Sequence, residues 1–332
     1  MKSHGGLFAR IITQDNLAAA LKHAARGKSQ RPAVQDFLKK SESQLSWLQQ
    51  EIQSGEYRPR PYQQFTILDP KPRRISCADF RDRVVHHAIC AVIAPLIDRR
   101  LIDDNFACRL GKGSHRALQR AQYFAGRHPW FLKTDIQRYY DTIDHALLLA
   151  RLEKMFRESA LLHLLEIIIR QPIPGQTPGK GLPIGNLTSQ WLANLYLDPL
   201  DHWVKEQRRV PGYVRYMDDI ACWDAGKEAL FALSGDMRAF LAEELKLTLK
   251  EQQTINAPVG EGMPFLGWRV YPALLRQQGK RLRRQRRLIK QREDAYLNGV
   301  LDEQSLRDSI LAIAGPRRFL GYGEAIRSQV DV

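Results

Sequence analysis

The sequence predicts an α+β fold, on three observations. Short β-forming runs and longer helical patterns alternate without the regular strand–helix–strand spacing of a doubly wound sheet. Hydrophobic residues fill 44% of 332 positions, enough for two or three sub-domains around a substantial core. Neither an internal repeat nor a low-complexity tract is present.

The chain begins with helical patterning. Over residues 15–53, Leu17, Ala20, Leu21 and Ala24 share one helical face and Leu38, Leu45 and Leu48 another, which predicts a helical lead-in. Residues 55–72 are rich in proline and aromatics. There Phe65-Thr66-Ile67-Leu68, followed by Asp69-Pro70-Lys71-Pro72-Arg73-Arg74, predicts a hairpin with a basic tip. A helix over about 80–98 starts exposed at Arg81 and Arg83 and becomes almost wholly apolar. A connecting stretch with Phe106-Ala107-Cys108-Arg109 leads to a helix over 114–125 and a strand over 130–136. Helical segments span 145–170, a Pro/Gly-rich loop 171–183, and a helix 187–204 that feeds a hairpin with Asp218 and Asp219 at its tip. A further helix over 227–245 leads to Leu247-Thr248-Leu249-Lys250.

Charge narrows the partner. Lys and Arg number 51 against 36 Asp and Glu, a formal net charge of +15, so a polyanion is favoured: nucleic acid first, an anionic membrane surface second. No segment approaches the ~20 consecutive apolar residues that span a bilayer. The apolar runs 88–97 and 160–169 read as core helices. The N-terminus lacks a sustained apolar stretch with a cleavage site, so a cytoplasmic protein is expected. Four scattered cysteines without metal spacing read as buried free thiols. Residues 276–292 carry nine bases and no acid. As a helix they line up Leu282, Leu288, Ile289 and Tyr296, and the surrounding charge points to a nucleic-acid backbone rather than to a merely solvated face.

Tyr216-Met217-Asp218-Asp219 sits between two β-forming flanks. Adjacent carboxylates repel unless a cation neutralises them, so a half-buried pair has a physical reason to bind Mg²⁺; a solvated turn is the alternative. Asp135 closes an apolar strand and, alone, reads equally well as a cap for the next segment. Adjacent antiparallel strands would bring all three together. Transfer of a nucleotide to a 3′-hydroxyl uses two divalent ions about 4 Å apart, held by converging carboxylates.

At this point the chain resembles a reverse transcriptase over nearly its whole length. The resemblance rests on Asp135-Ile136-Gln137-Arg138-Tyr139-Tyr140 and the Tyr216 to Asp219 box, in order and in context. It extends to Lys71-Pro72-Arg73-Arg74-Ile75, Asp82-Arg83-Val84-Val85-His86, Phe106 to Arg109, Gly181 to Gly185, Ala193 to Tyr196, and Phe265-Leu266-Gly267-Trp268. It implies a right-hand polymerase fold, with an N-terminal helical extension (1–54), fingers (55–130), a palm (131–270) with a helical insertion near 145–180, and a basic helical thumb (271–332).

The resemblance also implies roles. Asp135, Asp218 and Asp219 would ligate two Mg²⁺ ions, for which Mn²⁺ can substitute, with the carbonyl of Ile136 as a further ligand. Tyr140 matches an aromatic steric gate that crowds a 2′-hydroxyl, while Tyr139 fits core packing. Among Lys71, Arg73 and Arg74, which would meet the dNTP triphosphate, Arg73 aligns best; the other two can serve template instead. Gln190 would lie at the nucleotide. Lys250 falls where a lysine stands near the leaving pyrophosphate, or is a surface lysine. Arg83 and Arg109 are either nucleic-acid contacts or partners of acids such as Asp79 and Asp103. Lys280, Arg281, Arg283, Arg284, Arg286 and Arg287 would bind the backbone.

Ile184-Gly185-Asn186-Leu187-Thr188-Ser189-Gln190 has Ser189-Gln190 where Gln-Gly is common. That variant resembles diversity-generating retroelement enzymes, which copy a template RNA with errors concentrated at adenines; Ile184, Gly185, Ser189 and Gln190 would then set fidelity. Partners implied are template RNA, the RNA/cDNA duplex, dNTPs and a small basic oligomeric accessory protein, with no membrane, in a bacterial or phage-encoded system. Retron, abortive-infection and group II intron enzymes are the enzymatic alternatives, and a catalytically silent RNA-binding scaffold the alternative of another class.

Overall fold

The computed structural model describes residues 5–68 and 72–314; the side chains of Lys280, Arg281 and Ala314 lie outside the described set. At its centre is a four-stranded antiparallel sheet in the order β4-β5-β3-β6. Its strands are β3 (Trp130–Asp135), β4 (Gly212–Tyr216), β5 (Asp219–Asp224) and β6 (Ile255–Pro258). Before them come β1 (Gln63–Ile67) and β2 (Arg73–Cys77), a separate antiparallel hairpin; after them β7 (Met263–Phe265), β8 (Trp268–Val270) and β9 (Leu275–Gln277) form a three-stranded sheet.

Both faces of the central sheet are covered, which is why its strands read as continuous apolar runs rather than as an alternation. Leu132, Tyr213, Ile220 and Cys222 face a large helical core with the helices Phe80–Arg100, Leu187–His202 and Lys227–Leu245. Phe131, Val214, Ala221 and Trp223 face a second core made by the helix Ser114–Ala125 and by Met263, Phe265 and Trp268 of the small sheet. Gly212 is what lets that second core close. A Cβ there would stand 2.8 Å from Trp223 and 3.0 Å from Phe124, whose rings stack over it with centroids 5.5 Å apart.

The N-terminal helices Gln14–Ala25, Pro32–Lys39 and Ser41–Ser54 build a lead-in that packs on the Phe80–Arg100 helix. The latter begins at Asp79, whose carboxylate accepts the Arg81 N–H at 3.0 Å. Asp144 caps the helix His145–Met155 in the same way, through the Leu147 N–H at 3.0 Å.

The differences from the sequence reading are local. The strand expected over 130–136 ends at Asp135, and Ile136 continues as an isolated bridge to Leu249. The helix expected to 204 is α-helical to His202 and then widens into one π-type turn, Trp203–Gln207. Cys90 and Cys222 are buried thiols as expected, but Cys108 is exposed, held at φ 58° in the loop before Arg109. Lys71, on the hairpin tip, lies outside the described residues.

Candidate active site

The site forms where β3 and the β4–β5 hairpin end together. Register places Asp135 directly opposite Asp219, and Tyr216 opposite Asp219 on the other side. Met217 and Asp218 are therefore the two-residue loop, and Met217 adopts φ 59°, as the first position of a tight hairpin turn requires. The turn aims the Asp218 carboxylate at Asp135.

A fully buried arginine fixes that turn from beneath. Arg215 donates from Nη1 to the Met217 carbonyl at 3.0 Å and grips Asp201 with Nε and Nη2, each at 2.6 Å. Burial opposes its charge, but Asp201 more than offsets this and holds the guanidinium above its ordinary range. The Tyr213 hydroxyl donates to the same carboxylate at 2.7 Å, and Asn194 accepts from Arg215 through its side chain at 3.2 Å.

The carboxylates are electrostatically unequal. Burial first, then the neighbouring Asp135, push the Asp218 carboxyl up to about 7. Asp219 instead meets Lys133, whose ammonium stands 2.6 Å from Oδ1. Asp135 has a tether that sequence reasoning missed. With the Gln253 amide oriented by its neighbours, its nitrogen donates to Asp135 Oδ2 at 2.8 Å and its oxygen accepts Lys250 Nζ at 3.1 Å. The Lys250 N–H also donates to the Asp135 carbonyl at 2.8 Å. Bonds from Lys250 to Asp135 and from Gln137 to Thr248 flank Ile136, so the Ile136 carbonyl is not spent on that ladder and faces the β5 side.

Tyr140 closes one wall. Its hydroxyl donates to the Met217 Sδ at 3.6 Å, and its ring meets Tyr139 edge-on at 5.8 Å. Tyr139 is core, its hydroxyl bound to the Ala193 carbonyl. Burial holds the Tyr140 phenol well above its ordinary range; Cys108 and Asp218 add to this, and Arg73 on β2 lies close enough to oppose it. Arg74, on the opposite face of β2, reaches toward Gly175.

The segment from Ile184 to Gln190 is clamped to β2. The Ser76 N–H donates to the Ile184 carbonyl at 3.1 Å, and the Ala78 N–H to Asn186 Oδ1 at 3.2 Å. Gly185 has φ 115°, and a Cβ there would stand 2.9 Å from Ile75 Cγ2. Ser189 is buried and Gln190 half-buried on the first turns of the Leu187–His202 helix.

Other expected residues lie apart. Arg109 is not available to nucleic acid. Its side chain is 8% exposed and spent on Asp98 (2.6 Å) and on the carbonyls of Ile102 (2.6 Å) and Asn105 (2.9 Å). Its acid is thus Asp98, while Asp103 pairs with Lys112. Arg283, Arg284, Arg286 and Arg287 are exposed on the Gly279–Leu297 helix, which packs along the helix Glu303–Ala314. Leu288 and Ile289 are half-buried, whereas Leu282 and Tyr296 of the expected apolar stripe are exposed.

The donors suit a hard divalent cation in kind: paired carboxylates, one of them destabilised as an anion, beside a carbonyl that takes no part in the bridge to Leu249. Among the described residues, however, no three His, Cys, Asp or Glu side chains are grouped so as to hold a metal ion. Asp219 adds to the upward push on Asp218, but its own Oδ1 carries the Lys133 ammonium.

The four-stranded antiparallel sheet, with its tight β4–β5 turn beside the end of β3, has the right-hand polymerase fold. Residues 68–270, more than half of the chain, match the family described as reverse transcriptase (RNA-dependent DNA polymerase), and the chain belongs to that family. Protein YkfC of Escherichia coli K12 is 24% identical over 311 residues, covering 79% of this chain and 82% of that protein. The group II intron-encoded protein LtrA of Lactococcus lactis is 20% identical, covering 69% and 50%. A putative COX1/OXI3 intron 1 protein of Saccharomyces cerevisiae is 23% identical, covering 49% and 20%. The chain thus spans a fifth of the yeast protein and half of LtrA. Apo telomerase from Candida tropicalis shares the fold at a TM-score of 0.53 and 10% identity, over 77% of this chain and 57% of that one. No helix among the described residues is long and apolar enough to cross a membrane.

Proposed function

We propose that the chain is an RNA-directed DNA polymerase that copies a template RNA into cDNA. The observation that carries this reading is the meeting of Asp218, raised to about 7, with Asp135 beneath the Tyr140 wall. Asp135, Asp218 and the Ile136 carbonyl would hold Mg²⁺, with Asp219 completing the set. Bound there, the ions would lower the charge barrier to 3′-hydroxyl attack and leaving pyrophosphate. The chain's own residues orient the reactants. Gln253 and the Lys250 N–H fix Asp135, Arg73 faces the triphosphate, Tyr140 crowds a 2′-hydroxyl, and Lys250 Nζ stands ready to give a proton to pyrophosphate. In this reading residues 55–130 are fingers, 131–270 palm and 271–332 thumb, behind an N-terminal helical extension. The exposed arginines of the Gly279–Leu297 helix track the duplex.

The finer reading is error-prone copying of the diversity-generating type, in a cytoplasmic bacterial or phage system with a small basic accessory protein. The Ser189-Gln190 variant and the positive-φ Gly185 against Ile75 support it, since they shape the floor under the nascent base pair. Faithful copying of the group II intron type is the second reading, favoured by the likeness to LtrA. Primer extension on a defined RNA with Mg²⁺ and dNTPs, followed by sequencing of the product, tests both. Synthesis with errors concentrated opposite adenines is expected. An even error spectrum would leave the intron-type reading, and no synthesis with RNA and accessory protein supplied would sink the polymerase.

A further inference from the structure

Lys133 is a lysine inside an apolar strand. It lies on the same sheet face as Phe131 and Asp135, being two residues from each, and that face carries the second core. Across β5 its register partner is Ala221, so Asp219 stands on the diagonal, within reach of a long side chain. The small Ala221 leaves room for the lysine stem to lie along the sheet, while Phe131 and Trp223 close the space behind it. Lys133 is 8% exposed, and its ammonium emerges at Asp219 Oδ1, 2.6 Å away.

We propose that Lys133 is a positioning residue, a built-in counter-cation that competes with a divalent ion for Asp219. The proposal rests on the polymerase reading above and deepens it. In the nucleotide-free protein, divalent binding is confined to the Asp135–Asp218 pair, and Asp219 joins only when the lysine yields. That arrangement matches the described side chains, in which Asp218 meets Asp135 while the Lys133 ammonium holds Asp219. It also gives Asp219 a second duty, since removing it alone would strand a buried ammonium.

The test is a Mn²⁺ titration of the nucleotide-free full chain, with free Mn²⁺ counted by its paramagnetic resonance. Wild type is expected to bind one ion well and a second weakly. Lys133→Met should tighten the second by about tenfold or more, the scale of losing a charge-assisted contact. Lys133→Arg should behave as wild type, and adding Asp219→Asn to Lys133→Met should abolish the gain. Circular dichroism checks that each variant is folded, with Lys133→Gln in place of Lys133→Met should that one not fold. A charge-neutral variant with wild-type stoichiometry and affinities would overturn the proposal, as would a protein that binds no Mn²⁺. Primer extension is scored separately: its absence removes the polymerase reading, whereas the Mn²⁺ counts decide the role of Lys133.

Discussion

Tyr140 meets the carboxylate turn through its hydroxyl, which donates to the Met217 sulfur, so its ring is anchored from the side and not from the space above the carboxylates. Tyr140→Ala should therefore open that space without moving the turn. Ribonucleotide incorporation relative to dNTP should rise by about tenfold or more in competition assays, with dNTP turnover much less affected. His86 offers a prediction remote from the site. It is 1% exposed, and burial, together with His87 and Arg83, lowers its pKa to about 4, so it folds as the neutral ring. An unfolded imidazole takes up its proton near 6.5. The stability this neutral ring contributes is fully present above that pH and drains away as pH falls toward 4, by about 3 kcal/mol in all. Chemical denaturation of wild type and His86→Leu across that window should show the acid loss reduced in the variant. At this scale the sequence reveals identities more readily than environments. Asp135 and Asp218 are recognisable because box and spacing announce them. Lys133 and Gln253 are not, because a lysine in a strand or a glutamine in a polar turn carries no pattern. Arg109 misleads because its acceptors, the Asp98 carboxylate and nearby backbone carbonyls, carry no pattern in the sequence.

The helix Leu187–His202 and strand β4 are joined by the Arg215–Asp201 pair, and the turn bearing Asp218 depends on that junction. Asp201→Ala would leave a guanidinium with no carboxylate in a site of 0% exposure, at a cost of about 3–5 kcal/mol. Denaturant melts should show that loss, and replacing both partners with apolar residues should restore part of it. Long elements are legible because many turns average out local noise; the helix Lys227–Leu245 coincides with the range its periodicity predicts. Short ones are not. Strands β7, β8 and β9 have three residues each, fewer than two periods of alternation, and form a sheet only because Phe265 and Trp268 find the second core. The change to a π-type turn after His202 likewise has no local sequence signal.

Over the whole molecule, the net charge of +15 is concentrated where the Gly279–Leu297 helix exposes arginines beside a helix that covers only part of its surface. If these residues meet phosphates, each lost contact lowers the slope of log affinity against log salt by about one. Arg283→Gln with Arg286→Gln should thus flatten that slope by about two for an RNA duplex, while the fold and the melting temperature stay within error. The Met217 turn leads to a different kind of expectation. Its carbonyl is held by the fully buried Arg215, so the loop has no hinge of its own to loosen before the rest. Heat should therefore abolish turnover and melt the protein along a single curve, with no intermediate range of temperature in which a folded molecule has already gone silent.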